Sequence, residues 1–261
     1  MRTVVCIKQV PETGEARFDE ETMTMIREGI PSIVNPFDLY AAEEALKIRE
    51  ALGGETLVMT MGPPKAVEAL QEIISMGADD AILLTDRAFA GSDTWATSLT
   101  LAEGIRGVGT VDLVICGKQA VDGDTAQVGP ELADRLGWPF IAYVRKIEEI
   151  REGYIRAERM MEFGYEVVES SLPAVISVVK EINEPRLPSL KGKLRARKHV
   201  IREWGAEELG LDGDNTGLAG SPTQVIKVFT PAPRQSGTIL TGEPEEVAVE
   251  LVERLKGLKL I

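Results

Sequence analysis

Residues 111–130 constrain the fold more than any other stretch, because a strand, a polar loop and a helix succeed one another there. The apolar run 111–116 predicts a buried strand, and Val128, Leu132 and Leu136, each four residues from the next, share one helix face. A polar loop containing glycine ahead of a helix can present backbone N–H groups to an anion such as a nucleotide pyrophosphate. An ordinary strand–helix connection is the simpler interpretation, but the length and polarity of this loop favour an anion site.

Strands and helices alternate along the chain through residue 145. The segments that predict strands in this part are 3–10, 55–61, 80–85, 111–116 and 140–144. The alternation is typical of βαβ units and predicts an α/β fold with a parallel sheet and right-handed crossovers. Ligands bind such sheets beyond the carboxyl ends of the strands. The loops expected at that edge are 10–14, 61–64, 85–93 and 117–127.

The pattern changes after residue 145, where antiparallel hairpin strands are predicted. These strands are expected at 146–152, 154–161 and 163–168, and a further apolar strand at 172–179. We assign residues 1–200 to one α/β domain that includes the hairpin strands.

Residues 201–261 contain too little apolar periodicity to form a core of their own. We expect them to form an extended C-terminal arm that packs on a partner chain. Within the arm, residues 224–230 predict a strand. Residues 244–255 predict a helix with an inward apolar face formed by Val247, Leu251 and Leu255.

The net charge of −13 argues against nucleic acid and anionic membrane as partners, because no overall cationic field would attract phosphates. No apolar run reaches the roughly 20 residues that span a bilayer, and the sequence begins without a signal-peptide pattern. Cys6 and Cys116 both lie in strand patterns, which suits neither a disulfide framework nor a zinc site. We therefore expect a cytoplasmic protein.

His199 is the single histidine of the sequence, which nearly excludes a nucleophile–histidine relay or a histidine metal site. We assign no catalytic residue and no metal ligand, and we expect a bound cofactor to carry any chemistry. The fingerprints GxGxxG and GxxxxGK[ST] are both absent from the expected positions. A nucleotide must therefore be held by some other set of residues.

Two further segments each have two interpretations. Residues 35–38 open a helix that Asp38 can cap, and Asn35 either completes that turn or hydrogen-bonds a purine edge or ribose. The basic run 191–198 is either a solvated helix face or a protein-docking segment that uses Leu190 and Leu194 as apolar anchors.

Eight segments in order resemble the β (small) subunit of electron-transferring flavoproteins across essentially the whole chain. They are VVCIKQVP, NPFDLYAAEEAL, MGPP, GADDAILLTDRAF, CGKQAVDGDTAQVGP, LPAVISV, NEPR and SPTQV. The resemblance implies a Rossmann-like domain with an adenine-nucleotide-binding edge, in a heterodimer with a larger α subunit. That subunit carries a mobile FAD domain, which passes electrons to acyl-CoA dehydrogenases or a membrane quinone reductase.

The family has two subclasses, which differ in what the β subunit binds. In one, AMP is a structural ligand. In the other, FAD accepts a hydride from NADH and bifurcates the electrons between the α-subunit FAD and ferredoxin or flavodoxin. The segments DRAFAGSDTWATS and DGDTAQVGP resemble the second subclass. The chain would then be enzymatic only as the heterodimer. The alternatives are the AMP-holding subunit and an unrelated nucleotide-sensing α/β domain.

The resemblance also implies which residues contact the cofactor. Adenine and ribose would contact Cys6 (through its backbone), Asn35, Asp38 and Met61. The loop 122–129 would hold the pyrophosphate, and Thr94 and Thr97 would line space for an isoalloxazine. The implied cofactor-binding set is Cys6 (through its backbone), Asn35, Asp38, Met61, Gly62, Thr94, Thr97, Gly117, Gln119, Asp122, Gly123, Asp124, Thr125, Ala126, Gln127, Val128 and Gly129. The implied docking residues for the dehydrogenase are Leu190, Leu194 and Arg195.

Overall fold

A computed structural model describes residues 1–12, 17–19, 24–26, 31–226 and 237–261. The chain divides into two compact units, Met1–Lys227 and Val228–Ile261. The predicted boundary at residue 200 lies within the first unit. Arg202–Trp204 adds a parallel strand to the edge of the main sheet, so the start of the predicted arm belongs to that unit.

The strands predicted between residues 3 and 179 occur in the predicted order with changed bounds, and four strands, at 17–19, 24–26, 32–34 and 202–204, were not predicted. The strands are β1 (Arg2–Cys6), β2 (Gln9–Pro11), β3 (Arg17–Asp19), β4 (Thr24–Ile26), β5 (Ser32–Val34), β6 (Glu55–Met61), β7 (Asp80–Leu84), β8 (Leu113–Gly117), β9 (Phe140–Arg151), β10 (Tyr154–Met161), β11 (Gly164–Ser171), β12 (Ala174–Val178) and β13 (Arg202–Trp204). The helices are α1 (Pro36–Leu52), α2 (Val67–Met76), α3 (Thr94–Val108), α4 (Val128–Leu136), α5 (Leu190–Ala196) and α6 (Pro244–Gly257). Short 3₁₀ turns occupy Pro64–Ala66, Arg87–Phe89 and Lys180–Ile182.

Nine strands form the main sheet in the order β11-β10-β9-β12-β8-β1-β6-β7-β13. Each neighbouring pair along the spatial sequence β9-β12-β8-β1-β6-β7-β13 is parallel. The pairs β9–β10 and β10–β11 are antiparallel. This arrangement confirms the predicted α/β fold with a parallel sheet and hairpin strands. The predicted strand at 140–144 and the first hairpin strand are one continuous strand, β9.

The strand order reverses at β1, which lies between β6 and β8. The chain passes from β1 through α1 to β6 on one side, and later returns to β8 on the other side. The connections leaving the carboxyl ends of β1 and β8 therefore diverge. Crevices at such reversal points are where open parallel sheets bind ligands.

The sheet is buried on both faces, as the apolar strand patterns require. Val5 packs with α1 and α2 in one core cluster, whereas its neighbours Val4 and Cys6 pack with α3 and α4 in the other. Successive side chains of a strand point to opposite faces, so the central strand β1 contributes to both cores.

The predicted first strand 3–10 is interrupted, because the backbone N–H of Lys8 donates to the Asp38 carboxylate and not to a neighbouring strand. The chain then resumes as β2, which pairs with β5. The predicted strand 224–230 lies partly outside the described residues.

The second unit contains α6, which confirms the predicted C-terminal helix. The predicted inward face is not found in this chain, because α6 buries none of its residues. None of the helices in the described residues is long and apolar enough to span a membrane.

Candidate functional site

The candidate site lies where β1 and β8 end side by side, with Cys6 paired in register with Cys116. Asp38, in the first turn of α1, joins the two strand ends. Its Oδ2 accepts from the Lys8 N–H at 2.7 Å and its Oδ1 from the Gly117 N–H at 3.2 Å. Asp38 does not cap α1 as predicted, since both its oxygens accept from strand ends.

The Asp38 carboxyl is only 5% exposed. Burial raises its pKa from 3.8 to about 7, although hydrogen bonds from Asn35, Lys8 and Gly117 act to lower it. The side chain is therefore a buried connection between two strands and a helix. The structure gives it a role in positioning the site, and its predicted contact with ribose or adenine stays a prediction.

Asn35 precedes α1 and fixes the base of the loop that follows β8. Its Nδ2 donates to the Gln119 carbonyl at 2.9 Å, and its Oδ1 accepts from the Val121 N–H at 3.1 Å. The residue is 1% exposed. Asn35 therefore positions the loop through both ends of its amide, and its predicted contact with a purine edge or ribose stays a prediction.

Gly117 is required at the end of β8 by close packing. A Cβ at this position would lie 2.3 Å from Asp38 Oδ1 and 2.7 Å from the backbone carbon of Phe37. No side chain fits there unless α1 moves. Gly117 therefore allows the start of α1 to lie against the strand end, and it belongs to the frame of the site.

The loop after β8, where the sequence predicts an anion site, carries backbone N–H groups without acceptors in the described part of the chain. Among the residues that the structure describes, no acceptor meets the backbone N–H groups of Thr125, Ala126, Gln127, Val128 and Gly129. The last two open α4, whose N-terminal dipole end favours an anion. This row of free donors fits a nucleotide pyrophosphate.

The loop has an unusual backbone. Asp124 and Ala126 both adopt positive φ angles of 54°, although neither is glycine. Such conformations cost about 1–3 kcal/mol each and cluster at binding sites, where surrounding contacts hold them.

Charged side chains hold the loop from both ends. Lys8 Nζ lies 2.8 and 2.7 Å from the two oxygens of Asp122. Gln119 Nε2 donates to the Asp124 carboxylate. Asp122, Gln119 and Asp124 thus shape the loop through contacts within the chain, and their predicted contact with a cofactor stays a prediction.

The neighbouring strand ends form the other wall. Met61 and Gly62 are half-buried at the end of β6, and the Gly62 N–H donates to the Leu84 carbonyl at 3.0 Å. The Cys6 side chain is buried, so only its backbone could face a ligand, as predicted. A hydrogen bond with Cys6 and burial raise the pKa of the Cys116 thiol above its ordinary value, which keeps it neutral.

Thr94 and Thr97 lie in the first turn of α3, near the start of α4. Thr94 Oγ1 donates to Glu131 Oε1 at 3.0 Å, which links the N-termini of the two helices. Asp93 caps α3 through the Ala96 N–H at 3.1 Å. Phe89, in the 3₁₀ turn ahead of α3, is buried in the core.

Sequence reasoning missed two residues of this site, Lys8 and Glu131. Lys8 follows directly after the first strand, and that position at the ligand edge was the available signal. Glu131 carried no signal, because an acidic residue in a first helical turn is common. Among the described residues, no group of three or more His, Cys, Asp or Glu side chains could hold a metal ion.

Residues 22–209, most of the chain, match the family model of the electron transfer flavoprotein domain. The chain belongs to the electron transfer flavoprotein family. This confirms the predicted resemblance, and it contradicts the alternative of an unrelated nucleotide-sensing domain.

Several relatives match this chain over most or all of their length. It is 51% identical over 263 residues to the caffeyl-CoA reductase-Etf complex subunit CarD of Acetobacterium woodii, with 100% of both chains covered. It is 48% identical over 262 residues to the electron transfer flavoprotein subunit beta of Thermoanaerobacterium thermosaccharolyticum, again with 100% of both covered. Protein FixA of Azotobacter vinelandii is 47% identical over 240 residues, which cover 90% of this chain and 85% of that protein.

The predicted docking residues of this flavoprotein chain lie on the short helix α5. Leu190 is 77% and Leu194 53% exposed, so both remain available to a partner. Arg195 differs, because its Nη2 donates to the carbonyls of Ile74, at 2.8 Å, and Ala78. The Arg195 side chain therefore holds α5 on α2, and we assign it to positioning the two leucines.

The segment before α5 is attached to the helix that opens the nucleotide site. Arg186 pairs with Glu43 at 2.8 Å and with Glu50 at 2.5 Å, and both glutamates lie on α1. Asn183 Nδ2 donates to the Tyr40 carbonyl at 3.0 Å. The NEPR motif thus fixes where the exposed leucines emerge.

Proposed function

We propose that this chain is the β subunit of a heterodimeric electron transfer flavoprotein and binds FAD where β1 and β8 end. The heterodimer would oxidise NADH and divide the two electrons between a high-potential and a low-potential acceptor. The observation that carries the proposal is the row of backbone N–H groups from Thr125 to Gly129, which meet no acceptor among the described residues. A dinucleotide pyrophosphate satisfies such a row.

The residues of this chain would bind and orient the cofactor. The N–H row would hold the pyrophosphate, and the backbones of Cys6, Met61 and Gly62 would line the adenosine. Asn35 and Asp38 would keep the loop in place through their buried hydrogen bonds. When bound, FAD supplies the hydride-accepting chemistry that the side chains of this site lack.

The proposed partners follow from the family resemblance, and this chain has exposed apolar surfaces that could meet two of them. The α subunit, with its own FAD, would pass electrons to an acyl-CoA dehydrogenase or quinone reductase, and the other electron would go to ferredoxin or flavodoxin. Leu190 and Leu194 would dock the dehydrogenase. The second unit would pack on the α subunit through α6, whose Val249, Leu251 and Val252 are exposed. The relative named as a caffeyl-CoA reductase-Etf complex subunit supports an acyl-CoA-linked partner.

A second candidate is a subunit that holds AMP structurally while the α-subunit FAD alone carries electrons. The same observation supports it, because the N–H row fits a single phosphate as well as a pyrophosphate. The two candidates differ in whether a ligand extends beyond the phosphates toward Thr94 and Thr97.

Counting the cofactors of the purified heterodimer tests the proposal. The complex is denatured, and released FAD and AMP are quantified per heterodimer. Two FAD with NADH oxidation are expected. One FAD and one AMP would support the second candidate, and two FAD without NADH oxidation would contradict the role of NADH.

A further inference from the structure

The segment SPTQV carries part of the family resemblance but has no role in the proposed site. It covers residues 221–225, close to the end of the first unit. The stretch 216–223, which we call the strap, packs on the loop 88–93 that leads into α3. The N–H of Leu218 donates there to the Ala90 carbonyl at 3.0 Å. The strap therefore contacts the part of the chain that opens α3.

The strap is closely packed against this loop. A Cβ on Gly217 would lie 2.2 Å from the carbonyl oxygen of Ala88, and Gly217 has a positive φ of 55° that favours glycine. Thr216 and Ser221 are buried, and the Ser221 hydroxyl donates to the Gly217 carbonyl at 2.6 Å. The strap is thus a fixed part of the first unit.

Asp93 is the residue at which the strap and α3 meet. Its Oδ1 accepts from the Ala96 N–H at 3.1 Å, which caps the helix. Its Oδ2 accepts from both the N–H and the hydroxyl of Thr223, at 2.9 and 2.8 Å. Burial acts to raise the pKa of Asp93, but the hydrogen bonds from Ala96 and Thr223 lower it below its ordinary value. A helix cap needs only one oxygen, and the second is committed to the strap.

The turn that follows Asp93 is the expected flavin end of the nucleotide site. It carries Thr94 and Thr97, which are both half-buried. The phosphate end is formed by the loop 117–129, and none of the described hydrogen bonds joins that loop to the strap. Thr94 reaches α4 through its hydroxyl on Glu131, so a change at Asp93 affects the phosphate end only indirectly.

We propose that the strap positions the flavin half of FAD, because Thr223, acting through Asp93, fixes the first turn of α3 and so orients Thr94 and Thr97 toward the ligand. The inference rests on the proposed function and adds Thr223 and Asp93 to it as positioning residues. Thr223 is exposed, so its hydroxyl contributes little to the unfolding free energy. The loss of that hydroxyl is therefore expected to appear in FAD binding.

The test compares FAD and AMP affinity in heterodimers that carry single substitutions in this chain. Cofactors are removed and added back during calorimetric titration, with the α-subunit FAD as reference. Thr223→Val keeps the shape and the backbone N–H but loses the hydroxyl. It is expected to weaken FAD binding about 5- to 20-fold while AMP affinity stays within about twofold. Thr223→Ser keeps a hydroxyl and should restore FAD affinity to within about twofold of wild type.

Asp93→Ser separates the helix cap from the strap. Serine is a good N-cap residue, but its single, shorter hydroxyl cannot replace the second carboxylate oxygen that Thr223 meets. We expect the same selective loss of FAD affinity, and no further loss when Thr223→Val is added, since both changes remove one interaction. At saturating FAD, the visible circular dichroism of the flavin at this site should change in Thr223→Val and return in Thr223→Ser.

Thr110→Val is the matched control, because Thr110 is exposed and its hydroxyl makes no hydrogen bond in the described part of the chain. It should change neither affinity. If Thr223→Val does not assemble, Thr223→Ala is measured in the same way. Equal losses of FAD and AMP affinity, or wild-type FAD affinity in Thr223→Val, would overturn this inference alone. A wild-type site that takes AMP and no FAD would overturn the proposed function as well.

Discussion

The Asp38 carboxylate and the Gly117 N–H are joined by a 3.2 Å hydrogen bond at the end of β8. This contact leaves no space for a side chain, since a Cβ on Gly117 would lie 2.3 Å from Asp38 Oδ1. The start of α1 and the strand that precedes the nucleotide loop are therefore one packed unit. The geometry of the loop depends on that unit.

Gly117→Ala is predicted to destabilise the protein by about 2–4 kcal/mol, because the start of α1 must move away from β8. The amount of nucleotide that the purified variant retains per chain should fall as well. Urea unfolding and released nucleotide per chain measure the two effects. Gly123→Ala is the control in the same loop, since a Cβ there meets nothing within 4 Å. A Gly117→Ala protein as stable as the control would contradict the packing argument.

Asn35→Asp is predicted to loosen the nucleotide loop. The substitution keeps the acceptor for the Val121 N–H but places a carboxylate oxygen against the Gln119 carbonyl, where an amide now donates at 2.9 Å. A loss of about 2–3 kcal/mol in unfolding free energy and weaker nucleotide binding are expected. Gln224→Glu makes the same change from amide to acid at an exposed position and should leave both quantities unchanged. Unchanged nucleotide affinity in Asn35→Asp would show that the loop does not depend on this amide.

Asp38 predicts a specific pH dependence of stability. Burial raises its pKa to about 7 in the folded protein, against 3.8 as the ordinary value, so the folded state binds the proton more tightly. Its contribution is fully present below about pH 4 and is lost as the pH rises toward 7, a total of about 4 kcal/mol. The unfolding free energy of wild type minus that of Asp38→Asn should therefore decrease from pH 4.5 to 7.5. A difference in unfolding free energy that stays constant or increases over this pH range would contradict the raised pKa of Asp38.

Arg186→Ala is predicted to cost about 2 kcal/mol, because Glu43 is buried and loses the guanidinium that faces it. The backbone N–H of Arg186 still donates to Glu43 at 3.1 Å, which limits the loss. Arg254→Ala removes an exposed pair with Glu250 and should cost less than about 0.5 kcal/mol. Thermal unfolding compares the two variants, and equal losses would argue against a buried role for Glu43.

Leu190→Asp is predicted to weaken docking of the electron-transfer partner at least about tenfold and leave the unfolding free energy within about 0.5 kcal/mol. The reason is that Leu190 is exposed and its helix is held by Arg195 and Ser189. Surface binding measures the affinity at several salt concentrations. Leu52→Ala, at the exposed end of α1, is the control. Equal partner affinity in both variants would remove Leu190 from the docking surface.

Much of the fold could be predicted because hydrophobic periodicity is local. The strands around residues 55–61, 80–84 and 113–117 and the helix at 128–136 follow directly from apolar spacing. The position of the nucleotide loop after β8 was also predictable, since a parallel sheet places its ligand edge at the carboxyl ends of the strands. Local spacing did not predict the break in the strand 3–10. The break follows from the hydrogen bond between the Lys8 N–H and the Asp38 carboxylate, which lies 30 residues away along the chain.

The sequence by itself determined the α/β class, the polar loop after β8 and the family resemblance. These depend on residue type and spacing along the chain. Only the tertiary structure decided what each polar side chain does, because hydrogen-bond partners are distant in sequence. It assigned Asn35, Asp38 and Arg195 to internal contacts, joined Arg202–Trp204 to the sheet, and left Glu131 Oε2 buried beside the loop without a partner in the described chain. A buried polar group costs free energy unless it is hydrogen-bonded, and whether a group is buried depends on the folded chain.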